Sequence, residues 1–290
     1  MKRFCLAIAA VMLLGGCSSA ATGESSTSTG NASADSSTVS AEKTVSVEND
    51  RESVYQVSLL QGLTLGDYYG SVTVGKLKEK GDTGIGTFEG VNGELIMLDG
   101  VVYRAKEDGS VEVAPDEETI PFADVTFFDN DTTEEISNIA NIDELKSYLD
   151  KKVDGYGKNR FYMIKISGKF KSVYARSELK QEEPYKTLAE ALSTDQREFT
   201  FSDTEGTVVG LYCPEYMNDL NAVGWHFHYV SDDKQNGGHV LGLEFENAKI
   251  SWDNTDGFNM QLPETQMFPT LDLTIDQSED IHKVEQADGK

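Results

Sequence analysis

Three of the chain's four histidines fall in one fourteen-residue window, within Trp225-His226-Phe227-His228-Tyr229 and Gly237-Gly238-His239. An extended strand sends residues two apart to the same face. His226 and His228 can therefore aim both imidazoles at one point while Trp225, Phe227 and Tyr229 pack on the opposite face. The intervening Ser231-Asp232-Asp233-Lys234-Gln235-Asn236 is rich in turn formers, and beyond His239 the chain alternates as Leu241, Leu243 and Phe245. A hairpin over this segment brings His239 beside the first two histidines. Three neutral imidazoles on rigid strands, with positions left for water or substrate, suit a catalytic zinc ion. Structural zinc sites more often use thiolates, and no cysteine falls in the window. The plainer reading is a surface hairpin whose histidines coincide by chance, and the third histidine across the turn weighs against it. Neither a cupin-type site, which places a Glu a few residues after its H-x-H, nor a carbonic-anhydrase-like site, whose third histidine lies much further on, fits this spacing.

The elements that would position these histidines read as β-rich. Runs at 55–60, 72–77, 94–98, 101–105 and 111–113 carry β-branched and aromatic residues and are punctuated by glycines such as Gly62, Gly81, Gly93 and Gly100. Ile136, Ile139, Ile142 and Leu145 recur every third residue before Leu149, and Tyr185, Leu188 and Leu192 follow Pro184; each pattern predicts a helix covering a sheet. Strands are expected again at 199–201, 207–212, 225–230, 240–245 and 250–252. The fold class is α+β, with two sheet-centred lobes at about 46–195 and 196–290 and a few covering helices. There is no G-x-G-x-x-G turn and no G-K-[ST], so dinucleotide and P-loop chemistry are excluded.

The net charge of −25, from 50 acidic against 25 basic residues, excludes a nucleic-acid partner, because neutralising phosphates takes clustered Lys and Arg. Any anionic ligand must be captured locally, by a metal or an arginine. At the N-terminus, Lys2 and Arg3 precede a short apolar run that ends in Leu14-Gly15-Gly16-Cys17. That pattern predicts a signal peptide over residues 1–16 with a lipobox-like end, lipidation of Cys17, and an extracytoplasmic, membrane-anchored protein. Residues 17–45, rich in Ser, Thr, Ala and Gly, read as a disordered tether, and 46–290 as the folded body. With Cys5 in the signal and Cys17 lipidated, Cys213 stands alone and reads as a buried small hydrophobe.

Over about residues 55–285 the body resembles the acetolactate decarboxylase family. The resemblance is carried by Gly84-Ile85-Gly86-Thr87-Phe88, Asn92-Gly93-Glu94-Leu95-Ile96-Met97-Leu98-Asp99-Gly100, Pro121-Phe122-Ala123-Asp124-Val125-Thr126, Asn159-Arg160-Phe161-Tyr162, the G-W-H-F-H segment, Gly237-Gly238-His239-Val240 and Phe258-Asn259-Met260-Gln261-Leu262-Pro263. It implies a two-lobed β-rich fold, often a homodimer, that converts 2-acetolactate to acetoin and carbon dioxide with zinc. It further implies zinc ligands at His226, His228 and His239, an active-site glutamate at Glu94, an active-site arginine at Arg176, a pocket residue at Thr87 and a C-terminal glutamate near the metal at Glu285. In that chemistry a zinc ion stabilises the enediolate left by loss of carbon dioxide, a carboxyl group such as Glu94 delivers a proton, and Arg176 holds a carboxylate through its planar fork. Without the resemblance, Glu94 would read as a solvated turn residue and Arg176 as a surface charge. Two other readings stand beside the enzyme: a surface zinc-binding lipoprotein without catalysis, and a decarboxylase of a related acetohydroxy acid. His282 is expected to be exposed, and Glu244 and Glu246 to face solvent unless one supports the metal.

Overall fold

The computed structural model describes residues 50–278 and Ile281. The signal peptide, Cys17, the tether, His282 and Glu285 lie outside the described residues. The first half of the body runs β1 (Ser53–Val57), α1 (Leu60–Thr64), β2 (Val72–Thr73), α2 (Val74–Lys78), β3 (Thr83–Thr87), β4 (Glu94–Leu98), β5 (Val101–Ala105), β6 (Val111–Val113), β7 (Thr119–Ile120) and β8 (Phe122–Thr126). The second half runs β9 (Thr132–Ile139), α3 (Ile142–Tyr156), β10 (Phe161–Glu178), α4 (Leu188–Asp195), β11 (Gln196–Cys213), β12 (Gly224–Ser231), β13 (Gly237–Thr255) and β14 (Gly257–Gln261).

Two large sheets carry the fold. One is seven-stranded in the order β14-β1-β8-β3-β4-β5-β6; the other is five-stranded in the order β10-β11-β12-β13-β9, with a further pairing of β10 to β13. That pairing closes β10, β11, β12 and β13 into a ring of neighbours, so none of these four long strands is left with a bare edge along its whole length. Period-two alternation divides each strand between two cores. Met163, Val209, Leu211 and Val230 pack with Ile85, Ile96 and Tyr103 of the first sheet. The alternate residues Ile164, Val208, Phe227 and Tyr229 join Trp225 and Trp252 in a second cluster.

Helix α3 covers this second cluster with Leu145, Leu149 and Val153, four residues apart and all buried. Burial of each such side chain contributes on the order of 1.5–3 kcal/mol. Asn141 caps the helix by accepting the Glu144 amide at 2.9 Å, and Asp150 accepts the Trp225 indole N–H at 3.0 Å, which ties α3 to β12. Helix α4 begins where the Glu190 carboxylate accepts both the amide and the hydroxyl of Thr187.

Three expectations need correction. The lobes do not divide near residue 195: β9, β10 and β11 share one sheet, so the chain changes sheet near residue 130 and returns to the first sheet at β14. Ile136 and Ile139 lie in β9, not in a helix. Asn138 between them has φ +58°, and this left-handed kink turns both isoleucines inward at a spacing of three, which imitates helical periodicity. The run 72–77 is a strand of two residues followed by α2, whose start is capped by the Thr73 hydroxyl.

Candidate functional site

Two sheets meet at the site, and cross-strand register decides which residues face each other. Thr87 ends β3 directly opposite Glu94, the first residue of β4. The Thr87 hydroxyl donates to the Gly93 carbonyl at 2.8 Å, and Gly93 has φ +85°; an added Cβ there would lie 2.5 Å from the Ala105 carbonyl oxygen. Glycine is thus the residue that can turn the chain tightly enough to present Glu94 at the start of the strand.

On the other sheet His226 and His228 share the inward face of β12, as the alternation requires, while Trp225 and Phe227 stack on the outer face at 5.6 Å. The turn after Ser231 brings β13 back so that His239 pairs with His228, and on its other side His239 pairs with Arg176 of β10. The hairpin inferred from the spacing of the histidines is therefore present, and it delivers Arg176 as well.

The three imidazoles converge. Nε2 of His226 lies 3.0 Å from Nε2 of His228 and 3.0 Å from Nδ1 of His239, and the three ligand atoms form the metal-capable group found among the described residues. Nδ1 of His228 sits 2.8 Å from the Leu95 carbonyl of β4. Donation to that carbonyl leaves Nε2 as the lone-pair nitrogen and ties the two sheets together at the site. Burial pushes the His226 pKa down to about 3, with Arg176 and then Lys146 adding positive charge. His228 is also held well below the ordinary value, first by burial and then by His226. All three rings are buried, and these shifts keep His226 and His228 neutral near pH 7, the state that ligates.

This donor set fits zinc. Bonds of about 2.0–2.1 Å in a tetrahedron space their donors about 3.3 Å apart, close to the two 3.0 Å separations from Nε2 of His226, and all three ligand atoms lie within 4.8 Å of one another. Glu94 is buried beside this group, with Oε2 3.4 Å from Nε2 of His228. A small cavity opens onto the histidines, Glu94, Thr87 and Arg176. Its lining also includes Leu63, Val91, Phe122 and Leu188, so it offers hydrocarbon as well as polar groups.

A profile of the alpha-acetolactate decarboxylase family matches residues 54–275. The chain belongs to the alpha-acetolactate decarboxylase family. It is 42% identical to an alpha-acetolactate decarboxylase of Methanosarcina mazei over 82% of this chain and 81% of that one. It is 36% identical to that of Brevibacillus brevis over 80% of each chain. The crystal structure of the alpha-acetolactate decarboxylase of Bacillus subtilis strain 168 superposes with a TM-score of 0.78 at 33% identity, covering 81% of this chain and all of that one.

Of the residues expected from sequence, His226, His228, His239, Glu94, Thr87 and Arg176 line one cavity. Glu244 and Glu246 do not reach it and instead lie within ion-pair distance of Lys171, at 3.0 and 3.5 Å. Cys213 is a free, buried thiol. Sequence reading missed Glu178, which is buried and lines the same cavity. Counting two residues on from Arg176 along β10 would have found it, since both then share a face. It also missed Gln196, whose side-chain oxygen accepts from Nη1 of Arg176 at 3.1 Å.

Proposed function

We propose that the chain decarboxylates 2-acetolactate to acetoin and carbon dioxide, with a zinc ion held by His226, His228 and His239. The observation that carries this reading is the meeting of three buried imidazoles with two buried carboxyl groups and one buried guanidinium in a single small cavity. When bound, zinc supplies Lewis-acid stabilisation of the negative charge that develops on substrate oxygens as carbon dioxide leaves.

The residues supply the rest. Arg176 takes the substrate carboxylate through charge-assisted hydrogen bonds and so orients the bond that breaks. Glu94, when it carries the proton, delivers it to the carbon that has lost the carboxylate. Thr87 fixes the turn that presents Glu94. Leu63, Val91, Phe122 and Leu188 receive the methyl groups and exclude water, which strengthens every electrostatic contact in the cavity.

A surface zinc-binding protein without catalysis needs ligands but has no use for Glu94 and Arg176 in the same cavity, and the enzymatic reading accounts for all of them. The deciding experiment measures acetoin formed from 2-acetolactate by the purified protein, after chelation and after zinc return, alongside His226→Ala. Zinc-restored activity that the variant lacks supports the proposal; a folded, zinc-loaded and inactive wild type rejects it, and activity confined to larger acetohydroxy acids changes the substrate.

Membrane anchoring through lipidated Cys17 and assembly as a homodimer are proposals of the same standing, supported by the lipobox-like Leu14-Gly15-Gly16-Cys17 and by the family resemblance. Cys17→Ala should move the protein from the membrane fraction to the soluble fraction, and sedimentation of the soluble form should report two copies. Retention at the membrane, or a monomer, would reject the respective proposal.

A further inference from the structure

Glu178 follows Arg176 by two residues on β10, and both line the cavity. The Glu178 side chain is 7% exposed, and its Oε1 lies 3.6 Å from Nε of Arg176. That Nε is buried without a hydrogen bond, so the contact is an ion pair at a distance slightly beyond hydrogen bonding. The same guanidinium donates through Nη1 to Gln196, the residue that faces Glu178 across β10 and β11. The reaction proposed above uses one carboxyl group, Glu94, and leaves this second one without a part. A buried carboxylate is costly unless a cation accompanies it, and here the cation is the residue that would grip the substrate.

We propose that Glu178 is a positioning residue for Arg176, holding the guanidinium in one orientation and offsetting part of its positive charge. This rests on the decarboxylase reading of the site. The substrate enters as a carboxylate. As the carbon–carbon bond breaks, its electron pair passes to the remaining fragment and the carboxylate departs as neutral carbon dioxide. An arginine with its full charge would hold the starting carboxylate more tightly than the reacting one, and binding that weakens towards the transition state slows the chemical step. Glu178 keeps that grip partial.

The test compares zinc-loaded wild-type protein with Glu178→Gln, which keeps shape and acceptor but loses charge, and with Glu178→Asp, which draws the carboxylate back by one carbon. The constants read are kcat and KM for 2-acetolactate and the inhibition constant of 2-hydroxy-2-methylpropanoate, a carboxylate that lacks the ketone and cannot react. In Glu178→Gln, KM, the inhibition constant and kcat should each fall about tenfold, the size of one charge-assisted contact. Glu178→Asp should move all three the same way by less, so either variant alone can decide. Unchanged constants, or a loss of kcat with KM and inhibition untouched as a purely structural defect gives, would overturn the inference. A zinc-loaded wild type that forms no acetoin overturns the decarboxylase reading itself; an active wild type with indifferent variants overturns only the role of Glu178.

Discussion

The carboxylate of Glu94 lies 3.4 Å from Nε2 of His228, although the two residues sit on different sheets. The contact exists because His228 also reaches the Leu95 carbonyl, one residue along from Glu94, so a single imidazole locates both the metal group and the acid.

Removing one ligand should cost the metal. His239→Ala takes away Nδ1, which stands 3.0 Å from Nε2 of His226, and leaves two imidazoles to hold the ion. Zinc retained after dialysis, measured by elemental analysis, should fall well below that of the wild type, and acetoin formation should drop by at least about a thousandfold. Full zinc occupancy in the variant would remove His239 from the ligand set.

Glu94→Gln should separate metal binding from catalysis. The amide fills the same space but delivers no proton, so zinc content should hold while kcat falls on the order of 10²–10⁴. If the variant turns over at the wild-type rate, the proton comes from elsewhere.

Gly238 has φ +155°, and a Cβ there would lie 2.6 Å from the Arg176 carbonyl oxygen. Gly238→Ala must push β13 away from β10 at the point where His239 faces Arg176. We expect a loss of about 1–3 kcal/mol in stability together with weaker zinc retention. Thermal melting and zinc titration would show it, and a variant indistinguishable from wild type in both would mean that the strands give way freely.

Asp253 provides a pH dependence remote from the histidines. It is buried, and its pKa is raised to about 8, first by burial and further by Asp131, Asp129 and Glu52, against the opposing hydrogen bond from the Asp129 amide. In the unfolded chain an aspartate titrates near 4. Between these values the folded state holds a proton that the unfolded state has released, so stability is full below about pH 4 and is lost as pH rises through about 8. The melting temperature of the wild type should therefore fall from pH 6 to pH 9, and Asp253→Asn should flatten that decline. The same slope in both proteins would assign the dependence to other groups.

What the sequence determined by itself was local. Period two placed His226 and His228 on one face, the polar segment between Ser231 and Asn236 returned the chain to bring His239 alongside, and spacing four placed Leu145 and Leu149 on one face of α3. These features depend on residues within a few positions of one another, so their spacing is enough to read them. The tertiary structure decided what lies opposite what. The register of β10 against β13 set Arg176 beside His239, and the close approach of β4 to β12 set Glu94 and Leu95 against His228. At β9 the sequence pattern misled, because the left-handed Asn138 reproduced a helical spacing within a strand. Pairings between strands distant in the chain are set by the packing of whole sheets, and no local period records them.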